Sequence, residues 1–157
     1  MKFKIFLSSI LFIGIIKCPG QTVLDTDGLN NLNNVYLYSL KEYCASLGSS
    51  KTKIVYVKRE SFIGDSWPKK INNFEIQYLT DDEYKKVIEE NRGNITLVGI
   101  SPLEFRRDNF YVAIIPFSAT YQKKIVHLAN GGGLTVNFQY DNEKKGLVFK
   151  SKKWSGI

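Results

Sequence analysis

The chain has 157 residues, of which 43% are hydrophobic, 24% charged and 13% aromatic, and its formal net charge is +7. Length and composition are those of one globular domain, and the 10 Phe and 9 Tyr residues exclude a disordered chain. With 12 Gly and 4 Pro and no internal period, collagen-like and repeat architectures are excluded, and two cysteines cannot build a disulfide framework. No motif identifies a substrate or a ligand.

Residues 1–20 have the pattern of a secretory signal peptide. A start with two lysines precedes Ile5–Ile16, an uncharged run of twelve residues, which is shorter than the about 20 residues of a membrane-spanning helix. Small residues at Cys18 and Gly20 predict cleavage between Gly20 and Gln21. We therefore expect an exported protein, periplasmic or secreted, whose mature chain has no transmembrane helix.

Cys18 leaves a second possibility open. A bacterial lipoprotein signal places a cysteine directly after the apolar run, where it is lipidated and becomes the first residue. Here Lys17 stands where that pattern has Gly, Ala or Ser, so we favour ordinary cleavage. A lipid anchor in the cell envelope is expected only if Cys18 is lipidated.

Two segments follow the signal peptide. Residues 21–34 are rich in Asn, Asp and Gly and predict a flexible, solvated leader. Residues 35–157 predict a single α+β domain. Its first helix, Val35–Leu47, has an apolar stripe, with Asn34 as its cap and Gly48 closing its end.

A second helix is signalled at its start. Thr80 and Glu83 have the spacing of a capping box, and Leu79 and Tyr84 that of a hydrophobic staple. We expect the helix to begin after Thr80 and to end at Gly93.

Most of the remaining segments predict strands. Pro116 cannot donate a ladder hydrogen bond, so we expect its strand to lie at an edge or to bulge. Residues 130–133 (NGGG) predict a hairpin turn with positive φ angles. Together the pattern predicts two helices packed on one face of a mainly antiparallel sheet of about five to six strands. The predicted strands are 53–58, 74–79, 95–100, 110–118, 125–129, 134–140 and 147–150.

His127 is the only histidine and the one candidate for acid–base catalysis. A small secreted hydrolase would need it beside a partner such as Asp141, Glu104 or Tyr121, which sequence spacing does not establish. A structural or surface role for His127 is favoured. Without the signal peptide, one His and one Cys leave only carboxylates as further metal ligands, and we predict neither a metal nor a cofactor.

The other candidate residues also have structural interpretations. Cys44 lies on the apolar stripe of the first helix and is expected in the core. The NGGG run is followed by a strand rather than by a helix, so it does not predict a phosphate loop. Trp67 and Trp154 are candidate binding anchors, although each could instead cover the edge of a small core.

The basic residues form doublets spread along the chain: 69–70, 85–86, 106–107, 123–124, 144–145 and 152–153. A nucleic-acid reader concentrates such charge on one face among stacking aromatics, so this class of partner is disfavoured. Solvated surface charge is expected, with weak attraction to anionic envelope components.

The sequence thus predicts an exported, non-enzymatic domain that binds an envelope component or a protein partner. The alternatives are the His127 hydrolase and a periplasmic inhibitor or immunity protein. The last of these would expose a contiguous apolar patch of more than a few hundred Å².

Overall fold

The structure, a computed structural model, describes residues 21–48 and 53–156. Within these ranges two helices accompany one sheet of nine strands. The helices are α1 (Val35–Ser46) and α2 (Tyr84–Glu90). The strands are β1 (Ile54–Lys58), β2 (Lys70–Ile71), β3 (Phe74–Leu79), β4 (Asn94–Ile100), β5 (Glu104–Arg106), β6 (Asn109–Gln122), β7 (Ile125–Asn130), β8 (Gly132–Asp141) and β9 (Gly146–Gly156).

The sheet is mixed and has the order β2-β3-β1-β4-β6-β8-β9, with β5 and β7 also pairing with β6. Strand β1 runs parallel to both β3 and β4, and the other pairs are antiparallel. The predicted α+β class is confirmed, and most strand pairs are antiparallel, but the sheet has nine strands instead of the predicted five to six and is mixed. Long connections between β1 and β3, and between β3 and β4 through α2, bring the chain back in the same direction, as parallel pairing requires.

The two helices lie on opposite faces of the sheet, which corrects the predicted packing on one face. Neighbouring residues of a strand point to opposite faces. In β4, Val98 belongs to the core under α1, whereas Leu97 belongs to a second cluster with Tyr84 and Ile88 of α2. The α1 core is the larger of the two and continues over β6 and β8.

Helix α1 follows its local signals closely. The side chain of Asn34 accepts a hydrogen bond from the Leu37 backbone N–H (2.8 Å), which confirms Asn34 as the cap. Gly48 takes a left-handed conformation (φ 61°) just after the helix, as predicted. Leu40 is completely buried in the middle of the helix.

Helix α2 starts later than predicted. Residues 81–83 form a turn, and the helix begins at Tyr84. The Glu83 carboxylate accepts hydrogen bonds from both the Thr80 backbone N–H (2.8 Å) and the Thr80 hydroxyl (2.7 Å). The Glu83 half of the capping box is therefore present, but Thr80 donates its hydroxyl hydrogen instead of accepting from the helix.

The triglycine run is a β-bulge, and the predicted hairpin turn at residues 130–133 is wrong. Strands β7 and β8 pair with the same edge of β6 and form one interrupted strand. Between the pairs Asn130–Phe117 and Leu134–Ile114, this strand advances four residues while β6 advances three. One extra residue is thus inserted, and Gly132 takes a φ of 126° that favours glycine.

The hairpin turn that joins β6 to β7 lies at Lys123 and Lys124. Both residues have positive φ angles, 50° and 66°, as a two-residue type I′ turn requires. Neither is Gly or Asn, which are the residues that usually signal this turn in a sequence. The sequence therefore carries no Gly or Asn signal from which this turn could be predicted.

Pro116 lies in an interior strand and not at an edge, and the other expected arrangement, a bulge, occurs in the strand beside it. The Ala113 carbonyl accepts a hydrogen bond from the Ser101 N–H (2.8 Å) on the side of β6 that faces β4. The backbone groups of successive strand residues point to alternate sides, so the nitrogen of Pro116 points to the opposite side of β6. On this side of β6, Pro116 lies opposite the bulge between β7 and β8. The missing N–H thus falls where the ladder is already interrupted.

The predicted leader, residues 21–34, packs against the domain. Leu24 is buried, and its N–H donates to the Leu147 carbonyl at the outer edge of β9 (2.8 Å). The side chain of Trp67 donates to the Gly28 carbonyl (2.6 Å). Most residues of the segment are exposed, and short Asp and Asn turns bond its polar residues locally, while Leu24 reaches the core.

Candidate functional site

His127 lies in β7 with its side chain exposed, opposite Thr120 of β6. Within residues 21–48 and 53–156, no hydrogen bond or ion pair joins it to a carboxylate. The candidate partner Glu104 accepts instead from the Tyr111 hydroxyl (2.5 Å), and Asp141 lies near Lys144 (3.7 Å). The structure does not bring the hydrolase residues together.

Cys44 is a free and buried cysteine of the α1 core. Burial raises the pKa of its thiol to about 11, so the thiol stays protonated at neutral pH. A thiolate nucleophile would need the opposite shift.

The two tryptophans have different environments. Trp67 is only 3% exposed and packs edge-on against Tyr78, with ring centroids 6.1 Å apart. It is a core residue and cannot serve as a surface anchor. Trp154 is 47% exposed near the end of β9, with its ring centroid 5.9 Å from that of Tyr43.

The basic doublets are distributed over several elements. Lys123 and Lys124 form the β6–β7 turn, the pair at 144–145 lies in the β8–β9 turn, and the pair at 85–86 lies on α2. Lys152 is neutralised by Glu42 of α1 (2.7 Å).

Most of the residues that would decide signal-peptide cleavage or lipidation lie outside the part of the chain that the structure describes. Cys18 and Gly20 lie before residue 21, the first described residue. Gln21 is described, and its side-chain amide donates to the Phe149 carbonyl of β9 (3.2 Å). Among the described residues, no helix is long and apolar enough to cross a membrane, and no group of three or more His, Cys, Asp or Glu residues is arranged to hold a metal ion.

An apolar concavity lies where the N-terminal segment meets the β8–β9 turn. We call it the N-terminal cleft; its volume is about 470 Å³. It falls in the size range of about 300–1,000 Å³ that is typical of ligand pockets. Its lining residues are Val23, Leu24, Asp25, Thr26, Asn31, Asn33, Leu103, Phe110, Tyr140, Lys145, Gly146 and Leu147.

Three different parts of the chain build the apolar lining of the cleft. The N-terminal segment supplies Leu24, and β8 and β9 supply Tyr140 and Leu147, which face each other across the ladder. Strand β6 supplies Phe110, whose ring centroid lies 4.8 Å from that of Phe105 on β5. Because Phe105 is 62% exposed, it extends the aromatic surface outward from the cleft.

The rim of the cleft is polar and already hydrogen-bonded. The carboxylate of Asp25 accepts from the Asp27 backbone N–H (3.0 Å) and from the side-chain amide of Asn31 (3.1 Å), and these bonds lower the pKa of Asp25. Asn33 donates to the Val23 carbonyl (2.6 Å). Since these rim groups have partners within the chain, the cleft offers mainly apolar contact to an occupant.

Sequence reasoning missed this cleft for identifiable reasons. The segment 21–34 carries one buried apolar residue, Leu24, in a polar context, and residues 103–109 lie outside the predicted strands and carry four charged side chains. Phe105 and Phe110 were the available signal, since two aromatics flanking the turn at Arg107 and Asp108 predict a short hairpin with an aromatic cross-strand pair.

Comparison of the chain with protein-family models, with curated proteins and with solved structures gives no match. Function must therefore be argued from the chain's own geometry.

Proposed function

We propose that the protein is an exported, non-enzymatic binding domain that takes an apolar group of a protein partner or other envelope component into the N-terminal cleft. The observation that carries the proposal is the open aromatic lining of this cleft, continued outward by Phe105. Large apolar side chains are expensive to leave in water, and clustered exposed ones mark contact surfaces.

Export supports the same proposal from the sequence side. The pattern of residues 1–20 predicts a signal peptide, and the domain that follows carries neither a catalytic constellation nor a phosphate loop in its sequence. The His127 hydrolase has no supporting geometry in the described residues. An inhibitor or immunity role is a special case of partner binding through the cleft.

Site-specific photo-crosslinking in the native host tests the proposal. A photoreactive residue at Phe105 or Tyr140 should crosslink a discrete envelope component. The same residue at Trp154, which is similarly exposed but lies at the other end of β9, should not. Crosslinking from Trp154 alone would move the site to that residue and contradict the cleft.

A substitution pair tests the energetics separately. Phe105→Ser should weaken capture of the crosslinked component, whereas Leu29→Ser should leave capture unchanged. Leu29 is a suitable control because it is also a large exposed apolar residue (49%) that does not line the cleft. Equal losses for both variants would indicate nonspecific adhesion.

A further inference from the structure

The outer edge of β7 has backbone groups free to pair with another strand. The even-numbered residues of β6 form their backbone hydrogen bonds on the side that faces β7. Their partners in the register are Ile125, His127 and Ala129, which therefore direct their backbone groups towards β6. Val126, Leu128 and Asn130 therefore direct theirs outward. In the described part of the chain, β6 is the only strand with which β7 pairs.

Proteins usually block unwanted strand pairing with charged residues, proline, a β-bulge, a very short strand or a covering segment. Among the described residues none of these lies within β7 or covers it, and the bulge at Gly132 comes only after its last residue. Strand β7 has six residues, none of them carboxylate, Lys, Arg or Pro, and Ile125 (59%) and Leu128 (45%) are exposed on its two sides.

The other edges are protected. The outer edge of β9 is covered at Leu147 by Leu24 and at Phe149 by Gln21, and lysines at 150 and 152 follow. Strand β2 has two residues and β5 has three. Among the described strands, the uncovered edge of β7 therefore differs from the other edges of this sheet.

Positive charge gathers at one end of this edge. Lys123 and Lys124 form the turn directly before β7, and both are exposed. Lys85 of α2 lies over the ring of Tyr121 (5.4 Å to the centroid), and Tyr121 pairs with Val126. None of the three lysines makes an ion pair with another described residue.

A second copy of the chain is a poor occupant. Two copies carry net charge of the same sign, +7 each over the full sequence and +4 each without residues 1–20. A six-residue strand is about 20 Å long. One such pairing buries far less than the about 1,200–2,000 Å² of a stable interface. The unneutralised lysines instead complement an acidic group.

We propose that the outer edge of β7 binds an extended segment of a partner protein by antiparallel strand addition. The segment is uncharged and rich in β-branched residues along its length, and acidic at the C-terminal end that reaches Lys123 and Lys124. Backbone hydrogen bonds to Val126, Leu128 and Asn130 supply affinity, and the charges set direction. This site lies at the far end of β6 from the N-terminal cleft and does not depend on it.

The test uses the full chain, expressed with its own leader and recovered as the host processes it. The probe is a capped peptide of three Thr-Val repeats followed by two Glu residues. Binding should slow amide hydrogen exchange at Val126, Leu128 and Asn130. The amides of Ile125 and His127, already bonded to β6, serve as internal references and should change little.

Variants of the probe separate backbone pairing from charge. Methylation of two consecutive central amide nitrogens blocks a donor on each side of the peptide and should abolish binding. Replacing both Glu residues by Lys, or moving them to the N-terminal end, should weaken it about tenfold, equivalent to about 1.4 kcal/mol. Binding that survives methylation would overturn strand addition, and indifference to charge or its position would overturn the acidic C-terminal end.

Variants of the protein locate the site. Leu128→Lys places a charge on the edge and should weaken peptide binding. Leu32→Lys is the control, because Leu32 has a similar exposed fraction (48% against 45%) in the N-terminal segment. Equal binding by the two variants would overturn the site. Concentration-dependent protection of the same amides without peptide would identify a second copy as the occupant and overturn the proposed partner.

Discussion

Gly132 gives a sharp test of the bulge that joins β7 to β8. Its φ of 126° lies in a region that other residues rarely adopt, and an alanine Cβ would lie inside contact distance of the Ser155 carbonyl oxygen on β9. Forcing this backbone conformation on a non-glycine residue costs about 1–3 kcal/mol. Relief of the clash by parting β8 from β9 would lose hydrogen bonds worth about 0.5–1.5 kcal/mol each. We therefore expect Gly132→Ala to lower the free energy of unfolding by about 2–4 kcal/mol.

Gly131 provides the matched control one residue away. Its φ is not positive, and an added Cβ would meet no atom within 4 Å. Gly131→Ala should therefore change stability by no more than about 0.5 kcal/mol. Urea denaturation of both variants measures the difference, and amide exchange at Gly133 and Ser155 shows whether the end of β9 detaches locally. Equal stability and equal exchange in the two variants would refute the bulge geometry.

Three further predictions concern stability. Leu40→Ala should cost about 2–5 kcal/mol in denaturant unfolding, because Leu40 is fully buried on the core-facing side of α1; a cost below 1 kcal/mol would contradict that packing. Hydrogen bonds from Thr80 lower the pKa of Glu83, so the stability they contribute is present above the ordinary glutamate pKa and is lost as pH falls through the lowered value. Glu83→Gln should remove that part of the acid dependence in unfolding measured from pH 2 to 7, and an unchanged profile would contradict it. Replacing Lys123 and Lys124 by Asn-Gly should raise the free energy of unfolding by about 1 kcal/mol, as thermal and urea unfolding would show, because Asn and Gly adopt the left-handed turn at lower cost; a loss of stability would argue against a type I′ turn.

Features with local causes were predictable from the sequence. The Asn34 cap, the apolar stripe of α1 and the left-handed Gly48 each depend on neighbours within one or two turns of helix. Strand β3 was predicted with its observed bounds, Phe74–Leu79. In all of these the decisive interactions link residues close in the chain.

The placement of the helices depends on partners distant in the chain, and the prediction failed there. Whether α2 shares a face with α1 is decided by the path from β3 to β4, which no local pattern encodes. One signal was present: Leu97 and Val98 are consecutive and both buried, and consecutive apolar residues in a strand indicate that both faces are covered.

The candidate sites were hidden for a related reason. The cleft joins residues near 24, 105–110 and 140–147, and each segment alone resembles an ordinary loop or strand. The β7 edge was concealed because residues 130–133 were interpreted as a turn, which would have paired β7 with β8. Once β8 continues β7, the outer edge of β7 is left open.

The docked N-terminal segment changes what each processing route would produce. We predict a mature chain that begins at Gln21 and is recovered in the soluble periplasmic or secreted fraction. Intact-mass analysis should show loss of residues 1–20. Cyclisation of Gln21 to pyroglutamate would release its side-chain nitrogen as ammonia, and would thereby remove the donor that bonds the Phe149 carbonyl.

The opposite outcome has a distinct geometric signature. With residues 24–34 held against β9 and α1, lipidation at Cys18 would not create a long tether. Only Pro19 and Gly20 would separate the lipidated residue from Gln21, a reach of about 10 Å at about 3.5 Å per residue. The domain would then sit directly on the membrane, and proteases would fail to release it by cutting within residues 21–34. A membrane-bound chain with an acylated Cys18 at its start would overturn the prediction of a soluble protein, and easy proteolytic release would overturn the docking of this segment.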